Sequence, residues 1–592
     1  MSTESLTSYS TQKRPEKTLT PAPEDFVPSV EQHKCDVLVI GGGSAGCFAA
    51  IGAKEAGADV IVAEKYNIYS SGDAGTGEDH FLACGLEPDK EWDNPKEFYL
   101  GYVAGNRTIL NENHELVWHF AQELPAITER FEKMGMPFKD KKTGKYYRVQ
   151  ALGELHPYTV QFDGSMFKRI IAREVVDHKI PVLNHVMITR VLLDKNGQVT
   201  GATGFHTGDG SFHVFETKAV VLTTGEGCRL YSSTSGHPFD SWHSPYNTGD
   251  GIAMGFRAGA EIGNIEFLAV TLCAVGYSTP GTHAFFGMGC YLINSKGERF
   301  MPKYHRLADL AERSYLTWGI YSEMRAGRGP CFIDCRHLSK EDIERLEETL
   351  VVDKGPFGDY LRQKKIDLSK QPLEVGLSEF HTQVGLQVNV DLATKTKGLF
   401  AAGEGTTGTA GVSRAAVEGL RAGKNAASYA KTVNDLAIDE KEVAIEKARV
   451  YAPLRNKEGI GYNEFEQHIR DIMSDNVGFE RTETSMKRAL TLLDSIMHER
   501  TKLKARTFHD VMRTLESQNI YTIARAVTMA ALQRKETRWS SNVMCVRGDY
   551  QTPDPAWEDK LVIVFKGTNE DQVLHEIRQV PQRKPEEVFV MT

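Results

Sequence analysis

Residues 35–65 read CDVLVIGGGSAGCFAAIGAKEAGADVIVAEK, and they constrain the fold more than any other stretch of the chain. The apolar run 35–40 suits a parallel strand buried on both faces. Gly41, Gly43 and Gly46 then set out G-x-G-x-x-G around Ser44 and Ala45. The alanine-rich run 49–56 predicts a helix, and residues 58–63 predict a second apolar strand closed by Glu64. The first glycine of such a turn makes it tight, the second lets backbone approach a pyrophosphate, and the third lets the helix pack on the sheet. The helix start offers free N–H groups and a positive dipole end to phosphate. A carboxylate at Glu64 accepts from ribose hydroxyls and disfavours a 2′-phosphate, so FAD or NAD fits better than NADP. A glycine-rich turn in some other α/β sheet would leave Glu64 unexplained.

The chain has 592 residues, enough for several domains. Its formal net charge of −9 argues against a broad nucleic-acid-binding surface. It holds no run of 18 apolar residues, so no transmembrane segment is expected. No apolar signal core opens the sequence, and residues 1–33, rich in Ser, Thr, Pro and charge, are expected to form a flexible tail. The nine cysteines are scattered, which suits a reducing, cytoplasmic location. The closest pair, Cys331 and Cys335, is not the clustered set an iron–sulfur centre needs, and no metal constellation stands out in the spacing.

Further along, SSGDAGTGEDH (70–80) reads as a glycine-rich loop, and residues 95–136 carry helical pattern. Residues 181–222 predict a β-meander with a hairpin turn at Lys195-Asn196-Gly197, and residues 218–225 a further strand ending in a glycine-rich turn. Residues 247–264, NTGDGIAMGFRAGAEIGN, predict an N-capped helix that stops at glycine. Strand, glycine-rich loop and helix return at 398–425, residues 440–536 are helical in pattern, and 537–592 hold short strands with a basic end, residues 578–584.

VLVIGGGSAG, VVLTTGEG, NTGDGIAMGFRAGAEIGNIEF, YLINSKGERFM and GLFAAGEGTTG, in this order, resemble the flavoprotein subunits of the succinate dehydrogenase and fumarate reductase family over residues 34–550. That family includes L-aspartate oxidase and the adenylylsulfate reductase α subunit. The loop EKYNIYSSGDAG and the Arg538-Trp539 pair look like the latter branch. The resemblance implies an α/β fold: a Rossmann-like FAD-binding domain (34–264 and 375–435), an inserted α+β capping domain (265–374), a helical domain (440–540) and a C-terminal extension (541–592). It implies FAD held by Gly41, Gly43, Ser44, Ala45, Gly46, Glu64, Lys65, Ser71, Thr224, Gly225, Asp250, Gly403 and Glu404. The covalent flavin of some members needs a histidine where this chain reads Ile68-Tyr69-Ser70-Ser71-Gly72-Asp73, so non-covalent FAD is expected.

On the substrate side the resemblance keeps His381, Arg414 and Thr282, with His283 as a replacement acid or base. An arginine fork there can grip a carboxylate, sulfonate or phosphate. The family's other groups fall on different chemistry: its active arginine on Trp318, a relay arginine on Phe286, a relay glutamate on His283, a further glutamate on Met288 and a histidine on Thr271. Apolar side chains there cannot deliver a proton. The expectation is therefore hydride exchange with a small substrate other than fumarate, and electron transfer with an iron–sulfur partner, peripheral at a membrane if that partner is. Three alternatives stand beside it: an adenylylsulfate reductase α subunit, an electron-transfer module with a closed pocket, and an aspartate-oxidase-like oxidase.

Overall fold

The computed structural model describes residues 20–579 except 24, 105–112, 142, 151–153, 233–242, 278–281, 354–355, 379–380, 383, 407–410, 435–436, 541–542 and 559. The nucleotide unit begins with strand β1 (Val30–Ile40), helix α1 (Ser44–Glu55) and strand β2 (Val60–Glu64). Strand β1 starts inside the stretch assigned to the tail, because residues 30–35 pair with residues 212–217. Its first half is polar and largely exposed, so pairing rather than burial fixes it and no apolar signal marks it.

The main sheet has seven strands. Val182–Asn184, β2, β1, Phe212–Leu222, Val199–His206 and Val186–Leu193 follow one another across it, and Leu399–Ala401 adds to Phe212–Leu222. Pairing is parallel around β1, and the last three strands form the antiparallel meander. Phe212–Leu222 serves both halves: residues 212–216 face the meander, while residues 220–222 take Leu399–Ala401 in parallel. The chain thus returns to the sheet it began, 177 residues after leaving it (399 minus 222).

Helix Gly411–Ala430 crosses α1 at very short range. A Cβ on Gly419 would lie 2.2 Å from the Ala45 carbonyl, and one on Gly423 1.9 Å from that of Ala49. These glycines let the two helices touch backbone to backbone, so both helix starts are held at the same end of the sheet.

The intervening segment builds its own antiparallel sheet from Leu272–Ala274, Leu373–Leu377, Cys331–Asp334 and Tyr291–Ile293. Its apolar core includes Phe285, Phe286 and Leu316, but also Phe479, Met544 and Val546 from far down the chain. Four helices follow, Glu440–Arg455, Tyr462–Asn476, Glu483–Ile496 and the largely buried Phe508–Gln533. Thr482 and Thr507 start the last two with reciprocal capping boxes.

The described part of the 541–592 segment is woven into the protein. Val543–Arg547 pairs with Leu268–Ala269, which pairs in turn with His381–Thr382. The hairpin Lys560–Lys566 and Val573–Gln579 adds to Ile262–Gly263. Arg578, in the basic stretch, bonds Glu261 at 2.8 Å and is not a solvated tail residue; residues 580–584 lie outside the described residues. No helix among the described residues is long and apolar enough to cross a membrane.

Candidate functional site

Helix α1 begins at Ser44, earlier than its alanine-rich run suggested, with Gly43 as an extended N-cap that carries no side-chain cap. Its first N–H groups therefore face the turn unspent. Gly41 holds a positive φ of 97°, and a Cβ on Gly46 would strike the Gly41 carbonyl at 1.8 Å. A Cβ on Gly43 would meet nothing nearer than 4.0 Å, which leaves an open face on the turn. Ser44 Oγ and Ser71 Oγ are buried with no hydrogen-bond partner among the described residues. An open glycine face, free helical N–H groups and two orphaned hydroxyls fit a bound pyrophosphate. Glu64 is buried at the end of β2 and accepts from the amides of Gly42 (2.6 Å) and Tyr66 (2.8 Å), which aims it along the turn. Lys168, buried beneath, donates to the carbonyls of Gly42 (2.6 Å) and Ile68.

Three residues expected on the cofactor, Lys65, Asp250 and Thr224, have partners within the protein. Lys65 donates to Asp250 (2.7 Å), Glu516 (2.8 Å) and the Tyr246 carbonyl (2.8 Å), spending all three of its protons inside the protein. Asp250 also accepts from Thr248 and Asn519. Burial works against the Lys65 charge, yet Asp250 and Glu516 raise its pKa. The pair is a clasp between the nucleotide unit and helix Phe508–Gln533, a contact 451 residues apart in sequence. Thr224 caps the Asp250–Arg257 helix by accepting from the Gly251 amide at 2.8 Å.

Arg414 lies in the first turn of helix Gly411–Ala430, buried, with Nε on Glu418 at 2.7 Å. The other Glu418 oxygen accepts from the Gly403 amide at 3.0 Å, so one carboxylate fixes both the arginine and the turn that carries Glu404. His381 is fully buried on the strand beside Ala269. The side chains of Thr282 and His283 lie outside what the structure describes.

The position on which the resemblance lays the family's active arginine, Trp318, is part of an aromatic cluster. Trp318 packs against Tyr321, Phe479 and Trp539, while Phe286 and Met288 belong to the core of the inserted unit. On the same helix, Arg313 lies close enough to Cys273 for its charge to oppose the upward push that burial gives the thiol. Cys273 lies on Leu272–Ala274, next to Thr271, whose amide and carbonyl both bond Ser378.

The fold also gathers groups that the sequence reading passed over. Asp73, Glu226, His243 and Glu404 bring one polar atom each within 4.8 Å of one another. His243 Nδ1 bonds Glu226 at 2.7 Å and its ring lies 4.3 Å from that of His381. Asn247 donates to both Asp73 and Glu226 at 3.1 Å. Burial, then Glu226, pushes Asp73 up to about 7, and burial with the same neighbour raises Glu404 well above its usual range. Burial would raise Glu226 too, but the His243 imidazolium holds it low. Burial would lower His243, but Asp73 and Glu226 raise it to about 10. The charged residue in the turn TTGEG was the one signal available in sequence. A second group, Glu31, His33 and His213, offers three metal-type ligand atoms at the exposed start of β1, which residue spacing alone could not show.

The model of an FAD binding domain matches residues 36–420, and that of a fumarate reductase flavoprotein C-terminal region matches 466–586. The chain is 28% identical to a fumarate reductase (CoM/CoB) subunit of Methanothermobacter marburgensis, over 90% of this chain and 97% of that one. It superposes on Sdh1 of Mycobacterium smegmatis with a TM-score of 0.78 at 27% identity, covering 94% and 95% of the two chains. Adenylylsulfate reductase from Archaeoglobus fulgidus superposes at 0.83 with 23% identity over 96% and 98%, a likeness of fold. The glycine turn, the orphaned serines and these matches together make the chain an FAD-dependent oxidoreductase, a member of the fumarate reductase and succinate dehydrogenase flavoprotein family.

Proposed function

We propose that this flavoprotein exchanges hydride with a small oxyanion-bearing substrate other than fumarate, and passes electrons to or from an iron–sulfur subunit. Bound non-covalently, FAD supplies the hydride exchange at its N5. The observation that carries the reading is Arg414: a buried guanidinium on the first turn of a helix, held from behind by Glu418, which also fixes the turn of Gly403 and Glu404. Such a fork orients a carboxylate, sulfonate or phosphate by paired hydrogen bonds. His381, buried with its ring 4.3 Å from that of His243, would supply a further polar contact. Thr271, where the resemblance expects a histidine, supports a substrate other than fumarate, since a hydroxyl does not take up a proton near neutral pH. The iron–sulfur partner follows from the resemblance and from relatives named as subunits.

An anaerobic titration of the purified flavoprotein tests this reading. Fumarate, succinate, AMP with sulfite, and bulkier unsaturated acids are added in turn while the flavin spectrum is recorded. A response to AMP with sulfite or to a bulkier acid is the expected class of result. Reoxidation of the reduced protein by fumarate at a catalytic rate would refute the substrate assignment.

A further inference from the structure

Hydride exchange moves two electrons and leaves a proton to be placed. Of the side chains laid on the family's relay, Phe286 and Met288 belong to an apolar core and cannot place it. The buried cluster beside Gly225 and Gly403 can. Glu226 is fully buried, with one oxygen on His243 and Asn247 and the other accepting no bond among the described residues. His243 is orientated through Nδ1 by that carboxylate, which points its Nε2 edge away from Glu226. It stands between the Asp73 side (3.9 Å) and the His381 ring (4.3 Å). Its ionisable neighbours Asp73, Glu226, Glu404 and His381 come from four different turns or strands, with Cys228 following Glu226 in the same turn. The group is therefore built by the fold and not by one loop.

We propose that His243, held by Glu226, is the acid and base that accompanies hydride exchange in this protein, resting on the function proposed above. In the reducing direction the substrate gains hydride at one atom of a polarised double bond and a proton from His243 at the other. The imidazolium becomes neutral imidazole, and a protonated carboxyl of Asp73 or Glu404 returns a proton to it. In the oxidising direction the imidazolium first yields its proton to the carboxylate of Asp73 or Glu404, and the neutral imidazole then takes the proton that the substrate loses. The electrons come from, or go to, the reduced or oxidised cofactor. Glu226 acts through His243 and is a positioning residue. The raised affinity of His243 for its proton, close to ten on the pH scale, keeps it charged through neutral pH.

The test uses the FAD-loaded protein in three forms: wild type, His243→Gln and Glu226→Gln. The first readout needs no substrate: the absorption of the bound, oxidised flavin is recorded from pH 6 to 11. A change of charge beside the ring shifts that spectrum. Beside the alkaline ionisation of the flavin's own N3–H, which all three forms share, wild type is expected to show a second transition near pH 10. Glu226→Gln moves it to lower pH by a unit or more, and His243→Gln abolishes it. The second readout is the pH–rate profile with whichever substrate the titration above identifies. His243→Gln is expected to lose about 100-fold or more in turnover at pH 8. Glu226→Gln is expected to lose part of the neutral-pH rate, less than His243→Gln does, and to shift the alkaline limb downward with the spectral transition. Turnover by His243→Gln with a profile superimposed on wild type overturns this inference while leaving the proposed function intact. An unaltered spectral transition in both variants overturns it as well. Failure of every substrate in the panel, with the spectral transition present and displaced as described, would instead sink the function proposed above and the donor role with it. Should His243→Gln not fold, the Glu226→Gln shift decides alone, because a merely structural carboxylate would not move a titration seen by the flavin.

Discussion

Lys65 separates two readings of one residue, and Lys65→Met is the substitution that tells them apart. As a cofactor contact its loss would weaken FAD binding and leave the apoprotein alone. As a clasp its loss strands two buried carboxylates, Asp250 and Glu516. Removing one partner of a buried ion pair costs about 3–5 kcal/mol. Here the lower end applies, because Glu516 keeps Arg229 (3.1 Å) and Arg513 (2.8 Å), and Asp250 keeps Thr248 (2.8 Å) and Asn519 (2.7 Å). A loss of about 3 kcal/mol is expected. For 592 residues at about 2.1 cal/mol/K each, it lowers the melting temperature by only about 2 °C. Urea unfolding of the apoprotein is therefore the assay, beside a flavin-fluorescence titration for the FAD Kd, which should stay within about threefold. The pH dependence adds a check. Burial would raise Glu516, but Lys65, Arg229 and Arg513 bring it down to about 2. A depressed carboxylate stabilises above its unfolded pKa, about 4.3, and that stability is lost as pH falls toward 2. The acid limb of wild-type stability should thus be steeper than that of the variant between about pH 4.5 and 2. A stability loss under about 1 kcal/mol together with a tenfold rise in Kd would refute the clasp.

Ser71→Ala should raise the FAD Kd about fivefold, since one net hydrogen bond is worth about 1 kcal/mol, and leave apoprotein stability unchanged because that hydroxyl bonds nothing among the described residues; equal affinity by titration would remove Ser71 from the site. Gly423→Ala places a methyl 1.9 Å from the Ala49 carbonyl and should cost about 1–3 kcal/mol, whereas Gly287→Ala, with open space around it, should cost little; similar unfolding midpoints for the two would contradict the close helix crossing. Trp318→Ala should cost about 3 kcal/mol, the low end for a tryptophan truncation because the side chain is half-buried, and leave substrate KM unchanged, a result that a large KM change with intact stability would overturn.

The first strand, turn and helix were legible because their signal is local. Apolar period, glycine spacing and an acid at the second strand end lie within thirty residues, and the backbone has few other ways to satisfy them. The start of β1 was not legible: Glu31 and His33 look like tail, and only the partner strand 182 residues on (212 minus 30) makes them sheet. Trp318 was legible only as a departure from the family's pattern, since the aromatic partners it packs with, Phe479 and Trp539, lie far down the chain. Lys65 and Asp250 each carry a motif position, but their partner Glu516 comes from a region read only as helical pattern. Asp73, Glu226, His243 and Glu404 span 331 residues, and no spacing rule joins them. What sequence conveys about such a cluster is limited to single charged residues in small-residue turns.

The C-terminal third is part of the site's construction and not an appendage to it. His381 sits on a two-residue strand that pairs with Leu268–Ala269, and that strand is itself backed by Val543–Arg547. So short a pairing is marginal alone, and the backing strand fixes where the histidine stands. On the other side, Arg229 leaves the nucleotide unit at the turn beyond Glu226 and is bound by Glu466 (2.7 Å) and Glu516 (3.1 Å), from two different helices. Arg229 is fully buried with a positive φ of 66°, a strained conformation for a residue other than glycine. Its two carboxylates hold it there, and with it the path of the backbone from Glu226 toward His243. The helices therefore set the geometry of the proton-handling cluster without contributing a residue to it, which is why the chemistry of this chain belongs to the whole fold and not to its FAD domain alone.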